Sequence, residues 1–321
     1  MSHLRLKVSS VEVLTDRIRA VTLTSADGRK LPGYGAGAHI KITLPTGGER
    51  HYSLINADAE EDTSKGADTY SLGILKEAES KGGSLFMHAL TPGDTIETSA
   101  PKNDFALASH DGPAILLAGG IGVTPIISMA AELQRSGRPF EFHYSGRSRP
   151  LMAFVDEIEA ACGEALKVYC DDEAERCLDL TGLIDQAPAD AHFYVCGPRG
   201  MIEAVRERAL AKGHDKERVH FELFDQPEEQ AGDQPFDVEI KSTGEVFTVA
   251  PGRTIIEVLE EGGVDLVYDC QRGDCGICQT TVLEGVPDHR DVILTDEERA
   301  ANDVMQICVS RSKTPRLVLD L

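Results

Sequence analysis

Three modules in series are predicted: a small antiparallel β-barrel, an α/β domain built on a parallel sheet, and a compact C-terminal module carrying clustered cysteines. Three observations predict them. The first hundred residues hold short strand-like runs punctuated by Gly, Pro and Asp. From Ala114 onward compact apolar runs alternate with helical patterns, the signature of strands and crossover helices. Four of the eight cysteines, Cys270, Cys275, Cys278 and Cys308, share one end of the chain. A length of 321 residues suits two or three domains.

The barrel is expected within residues 1–108, with strands over 4–13, 18–24, 39–44, 51–54 and 70–75. The α/β domain is expected over 109–225. It opens on a strand at 114–118, a glycine turn and a helix at 125–134, then a strand at 140–144 and a helix-like run at 152–161. The alternation continues through 165–169, 182–184, 191–196, 201–212 and 219–223. Residues 226–234 lack a periodic apolar face and read as an exposed linker. In the third module, 235–321, strands at 236–240 and 246–249 form a hairpin around Ser242 to Glu245, and a helix at 254–261 precedes the cysteine loop.

Charge narrows the function. The chain carries 54 acidic against 32 basic residues, a net charge of −22. Phosphate neutralisation needs clustered Lys and Arg, so no nucleic-acid partner is expected, nor an anionic membrane. No apolar run approaches the roughly 18 residues of a membrane span, and the N-terminal stretch alternates polar and apolar residues, which makes the cytoplasm the expected compartment.

In a reducing compartment clustered cysteines read as metal ligands. Cys270, Cys275 and Cys278 give C-x4-C-x2-C, and Cys308 closes the set. This is the spacing of plant-type ferredoxins, in which four thiolates hold a [2Fe–2S] cluster inside a loop kept sterically open by Gly273 and Gly276. A structural zinc site is the competing reading; zinc ribbons usually pair two C-x2-C steps, whereas here 29 residues separate Cys278 from Cys308. The stretch from Phe236 to Leu321 resembles a plant-type ferredoxin in its order of hairpin, helix and loop, which implies a β-grasp fold.

Arg50, His51, Tyr52, Ser53 and Leu54 lie on one expected strand, with Arg50 and Tyr52 on one face and Ser53 on the other. By its own residues this is an ordinary exposed strand. The pattern R-x-Y-S resembles the flavin-binding strand of the ferredoxin reductase superfamily. That likeness implies that Arg50 pairs with flavin phosphate, Tyr52 packs on the isoalloxazine ring and the Ser53 hydroxyl reaches its reactive edge; a guanidinium fork and a phenol ring suit those tasks. Lys81, Gly82, Gly83 and Ser84 then precede a helical stretch at 85–90, either as a phosphate-binding turn or as a plain helix start capped by Ser84.

After the strand at 114–118 come Gly119, Gly120, Ile121, Gly122, Val123, Thr124 and Pro125. Glycines allow close backbone approach to a pyrophosphate, and Pro125 suits the first turn of a helix. Cys196, Gly197 and Pro198 end a later strand of the same sheet. Together these resemble the GGIGxTP and CGP elements of the superfamily, the first on pyrophosphate and the second beside the nicotinamide. Glu222, Leu223 and Phe224 resemble its E-x-F ending, whose aromatic lies near the flavin. Cys196 as a small buried hydrophobe and Phe224 as a core residue are the plainer readings. Ser145 and Arg147, with Arg149, follow one strand, Asp171 and Asp172 another. Carboxylates suit the ribose hydroxyls of NADH, whereas the arginines would welcome the 2′-phosphate of NADPH; NADH is expected.

In this module order the chain resembles the phthalate dioxygenase reductase family, which includes vanillate demethylase reductases. The resemblance implies FMN, with FAD as the alternative, and NADH as donor. It implies catalytic positions at Ser53, Cys196 and Phe224, and a terminal Rieske-type oxygenase as partner. NADH releases two electrons as a hydride and a [2Fe–2S] cluster accepts one, so the flavin is expected between them. A scaffold protein with a structural zinc module is the non-enzymatic alternative.

Overall fold

The computed structural model describes residues 3–78, 80, 82–224 and 230–321. Lys81 and residues 226–229 of the expected linker lie outside the described residues. Two compact units emerge, Met1–Glu222 and Leu223–Leu321.

The first unit begins with β1 (His3–Val13), β2 (Ile18–Ser25), β3 (His39–Thr43), β4 (Glu49–Ser53), β5 (Thr69–Leu75), α1 (Gly83–Ala89) and β6 (Thr95–Ser99). The strands form one antiparallel sheet in the order β4-β3-β6-β1-β2-β5. A bridge between Ile55 and Ser71 joins its two edges and closes it. Alternation sets which face is buried: Leu6, Val8, Val21, Leu23, Ile40, Ile42, Leu72 and Ile74 all point into one core. Strand β6 was not among the expected strands, yet it sits in the middle of the sheet. Its inward positions are Ile96 and the fully buried Thr98, so half of its apolar signal is missing from the sequence.

The same unit continues through β7 (Ala114–Gly119), α2 (Val123–Arg135), β8 (Phe140–Gly146), α3 (Val155–Cys162), β9 (Leu166–Cys170), α4 (Leu180–Gln186), β10 (His192–Cys196), α5 (Arg199–Ala211) and β11 (Val219–Glu222). These strands are all parallel, in the order β11-β10-β7-β8-β9. Central β7 is buried along its whole length, as a strand covered on both faces must be. Two expectations shift. The helix expected from 152 begins only at Val155, because Phe154 holds a left-handed backbone (φ 62°) that α-helix cannot contain. The run at 182–184 lies inside α4, whose start is capped by Asp179 accepting from the Gly182 N–H at 2.9 Å.

The second unit contains β12 (Phe236–Ile240), β13 (Val246–Val249), α6 (Ile255–Glu261), β14 (Gln279–Glu284), β15 (Pro287–Asp288), α7 (Asp296–Ala301), β16 (Val304–Gln306), β17 (Arg311–Ser312) and β18 (Arg316–Leu319). Its main sheet runs β13-β12-β18-β14-β16, and β12 pairs with β18 in parallel. The sheet grips α6, as expected of a β-grasp: Ile255, Ile256 and Leu259 share a core with Val238, Ile240, Leu317 and Leu319. A capping box between Thr254 and Glu257 starts α6. Asp233, read as linker, is drawn into this unit by ion pairs with Arg290 and Arg311 that leave its side chain only 6% exposed. Among the described residues no helix is long and apolar enough to cross a membrane.

Candidate functional site

Strand β4 is held by β3 in a register that sets Arg50 opposite Ile42, Tyr52 opposite Ile40 and Ser53 opposite His39. Tyr52 packs against the barrel core, and burial, reinforced by the Glu77 carboxylate, pushes its phenol up to about 12. The Ser53 hydroxyl is buried with no hydrogen-bond partner among the described residues, which in a native site calls for a group that supplies one. His51 stacks on His39 at 4.9 Å. The start of α1 lies alongside Arg50: a Cβ on Gly83 would come 2.6 Å from the Arg50 Cγ. Ser84 does not cap α1. Gly82 occupies that place, with no side-chain cap bond, and the buried Ser84 hydroxyl instead donates to Ser80 Oγ (2.8 Å) and accepts from the Glu77 N–H (3.2 Å).

At the carboxyl edge of the parallel sheet the chain leaves β7 toward β8 on one side and reaches β10 on the other, so a crevice opens where the strand order reverses. The two glycine motifs meet there. A Cβ on Gly119 would lie 2.6 Å from Pro198 Cδ, one on Gly122 would lie 2.3 Å from the Cys196 carbonyl oxygen, and one on Gly197 would lie 3.0 Å from Gly119. Gly120 turns through φ +56°, the left-handed region that favours glycine. Pro125 sits in the first turn of α2, where its missing N–H removes no helix bond, and Thr124 donates to the Ile121 carbonyl at 3.1 Å. Cys196 ends β10 beside Ala118 of β7 and is 1% exposed.

Beyond β8, Ser145 donates to the Ala118 carbonyl at 3.4 Å. The Asp171 N–H donates to the Gly146 carbonyl at 3.0 Å and the Asp172 N–H to the Arg147 carbonyl at 3.1 Å, which ties the two expected ribose loops together. Arg147 and Asp171 are exposed. Arg149 is claimed by Asp156 (2.8 Å) and Glu159 (2.9 Å).

In the second unit the loop from Cys270 to Cys278 passes through three left-handed residues, Gln271, Gly273 and Gly276. A Cβ on Gly273 would lie 2.7 Å from Val309 Cγ2, and one on Gly276 would lie 3.0 Å from Ile293 Cδ1. The wrapping brings the Cys270 thiol against those of Cys275 and Cys308, and the Cys278 thiol against that of Cys308. The Arg272 N–H points at Cys270 Sγ, 3.3 Å away. Hydrogen bonds from Cys275 and then Cys308 drive Cys270 far below the usual thiol range. Four thiols brought together, with a backbone donor aimed at one sulfur, fit an iron–sulfur cluster. Cys162, Cys170, Cys177 and Cys196 all belong to the first unit. Phe224 is half-buried and belongs to the second.

Two residues with no motif to mark them also stand out. Asp274, inside the cysteine loop, accepts from the Leu223 N–H at 2.9 Å; burial, with Arg272 opposing it and Cys270 reinforcing it, raises its carboxyl to about 7. Ser128 is a buried hydroxyl within the apolar run of α2, and that break in the run is its sequence signal.

Residues 238–313 match the 2Fe-2S iron-sulfur cluster binding domain family, and residues 116–207 match the oxidoreductase NAD-binding domain family. Phenoxybenzoate dioxygenase subunit beta of Ectopseudomonas oleovorans is 41% identical over 322 residues, spanning 100% of this chain and 98% of that protein. The solved phthalate dioxygenase reductase, described as a modular structure for electron transfer from pyridine nucleotides to [2Fe–2S], is 33% identical with a TM-score of 0.72, over 100% of this chain and 98% of that one. Full-length CYP116B46 from Tepidiphilus thermophilus is 36% identical with a TM-score of 0.75; the match spans 99% of this chain but 42% of that longer one.

Proposed function

Because the chain belongs to the phthalate dioxygenase reductase family, we propose that it carries electrons from NADH, through FMN and its [2Fe–2S] cluster, to a separate Rieske-type oxygenase in the cytoplasm. It is an oxidoreductase with an NAD-binding domain and a 2Fe-2S domain. One observation carries the reading: a four-thiol constellation and a glycine-lined nucleotide crevice occur in one chain with an unpartnered, buried Ser53 hydroxyl on the R-x-Y-S strand.

When bound, a flavin takes a hydride from NADH and returns single electrons, which matches a two-electron donor to a one-electron cluster. The chain's own residues do the positioning. Arg50, with Gly82, Gly83 and Ser84 beside it, holds the flavin phosphate, Tyr52 packs on the ring, and Ser53 donates to its reactive edge, with His51 completing the strand. Gly119, Gly120 and Gly122 let the pyrophosphate approach the start of α2, where Thr124 and Pro125 shape the first turn. Cys196, Gly197 and Pro198 flank the nicotinamide, and Ser145, Arg147 and Asp171 reach the adenosine ribose. Commitment of Arg149 to Asp156 and Glu159 removes one candidate for a 2′-phosphate and supports NADH. In domain terms, residues 1–108 hold flavin, residues up to Glu222 hold NADH, and the second unit, into which Asp233 packs, holds the cluster.

A visible spectrum of the purified protein, taken before and after anaerobic NADH, tests this. Flavin and cluster absorption, both bleached by NADH, are expected; a colourless protein that binds zinc would overturn the reading. Chromatography of the acid-released flavin distinguishes FMN from FAD, and kcat/KM for the two nucleotides decides NADH against NADPH.

A further inference from the structure

Ser128 lies in the second turn of α2, flanked by Ile126, Ile127, Met129, Ala130 and Ala131, all buried. A hydroxyl in such surroundings is unfavourable unless bonded, and a helical serine ordinarily turns back to the carbonyl four residues before it. This one spends both its bonds outside the helix. It donates to the Leu54 carbonyl at 2.8 Å and accepts from the Asn56 N–H at 2.8 Å, across 74 and 72 residues of chain. Leu54 and Asn56 are the exit of the R-x-Y-S strand, just after Ser53, and α2 is the helix that follows the glycine turn, with Gly122 as its N-cap. A second close contact supports the same junction: a Cβ on Gly73 of β5 would lie 2.7 Å from Thr124 Cγ2 and 2.9 Å from Phe154 Cε2.

We propose that Ser128 is a positioning residue for hydride transfer, its hydroxyl clamping the flavin strand to the nucleotide helix so that donor and acceptor rings meet at a fixed separation. This rests on the function proposed above. In that step a hydride, two electrons with one proton, leaves NADH as NAD+ and enters the flavin. Ser128 touches neither ring. It sets the backbone from which Ser53 is presented and the helix start on which the nucleotide lies.

The test compares Ser128→Ala, Ser128→Thr and, as a destabilised control away from the junction, Val8→Ala in the barrel core. Hydrogen exchange, read without NADH, should show protection of the Asn56 amide lost in Ser128→Ala and kept in Ser128→Thr and Val8→Ala. In anaerobic stopped flow, the limiting rate of flavin reduction should fall at least about tenfold in Ser128→Ala while the NADH dissociation constant changes less than about threefold, since misplacement by about 1 Å can slow such a step by about 100-fold. Ser128→Thr, which keeps the hydroxyl, should restore the rate. An unchanged rate and unchanged Asn56 protection in Ser128→Ala would overturn the proposal, as would an equal loss of rate in Val8→Ala. A wild-type protein that lacks flavin or is not reduced by NADH would instead overturn the functional reading.

Discussion

Replacing Gly122 with Ala should damage the nucleotide crevice through contact alone. The backbone there is right-handed (φ −61°, ψ −6°), so alanine brings no conformational strain. Its Cβ, however, would sit 2.3 Å from the Cys196 carbonyl oxygen and 2.5 Å from the carbonyl carbon, about 1 Å short of van der Waals separation. Both atoms are backbone, so no rotamer relieves the clash. The Cys196 to Pro198 turn must retreat, and it is already locked against Gly119. Overpacking of this kind is worth about 1–3 kcal/mol, which predicts a lowered Tm and, if the retreat opens the crevice, about 10- to 100-fold weaker NADH binding. Gly200→Ala is the matched comparison: it lies in α5 with open space around its Cβ, and should stabilise by about 0.4–1 kcal/mol. Urea denaturation and fluorescence titration with NADH read both quantities. Wild-type Tm and NADH affinity in Gly122→Ala would refute the argument.

Each of Cys270, Cys275, Cys278 and Cys308 changed singly to Ser should lose cluster iron, sulfide and visible absorption, whereas Cys162→Ser, Cys170→Ser, Cys177→Ser and Cys196→Ser should retain them; full cluster occupancy in Cys308→Ser counts against the assignment. Arg50→Ala removes the charge-assisted phosphate contact proposed for this residue, of a kind worth about 1.5–3 kcal/mol, and should purify with little flavin, measured by absorbance after acid release. Stability should fall with acid through a ladder of rings at the start of the parallel strands. His110 stacks on His192 at 3.5 Å, and His192 on His220 at 5.4 Å. Burial lowers both His192 and His220 to about 4, with further repulsion from His110. A lowered histidine binds fewer protons folded than unfolded, so stability is complete above about 6.5 and is lost as pH falls toward 4. After allowance for the half-exposed rings the loss is about 2 kcal/mol for the pair, and acid unfolding of His192→Gln should show a shallower pH dependence. Finally, with 17 acidic against 8 basic residues from Pro235 to Leu321, a net of −9, the cluster module should reduce a purified oxygenase more slowly as salt rises, while internal reduction of its own cluster changes little. Equal salt dependence of the two rates would remove electrostatic steering.

The chemistry-bearing residues were legible because their spacing is local. C-x4-C-x2-C, R-x-Y-S and GGIG each span a few consecutive residues, and local geometry is written in consecutive letters. Strong periodicity gave β12 and β13 to the residue. What failed was whatever a distant partner decides. Strand β6 is a strand because β1 and β3 flank it, and Thr98 is buried there against the usual pattern. Phe154 takes a left-handed backbone and delays α3, for which no nearby glycine gives warning. Ser84 looks like a helix cap until Ser80 and Glu77 claim its hydroxyl, and Asp233 looks like linker until Arg290 and Arg311 draw it in.

By itself, then, the sequence determined the order of modules, the four cysteines clustered at one end of the chain and the glycines that leave room for close backbone approach, since steric allowance and side-chain type belong to the residue. Only the tertiary structure decided which glycines face which turns, that Ser53 is left, among the described residues, with an unanswered hydroxyl, and that Ser128 reaches across more than seventy residues to bond the exit of the R-x-Y-S strand. Those are pairings between segments remote in the chain, and a pairing has no address until the chain has folded.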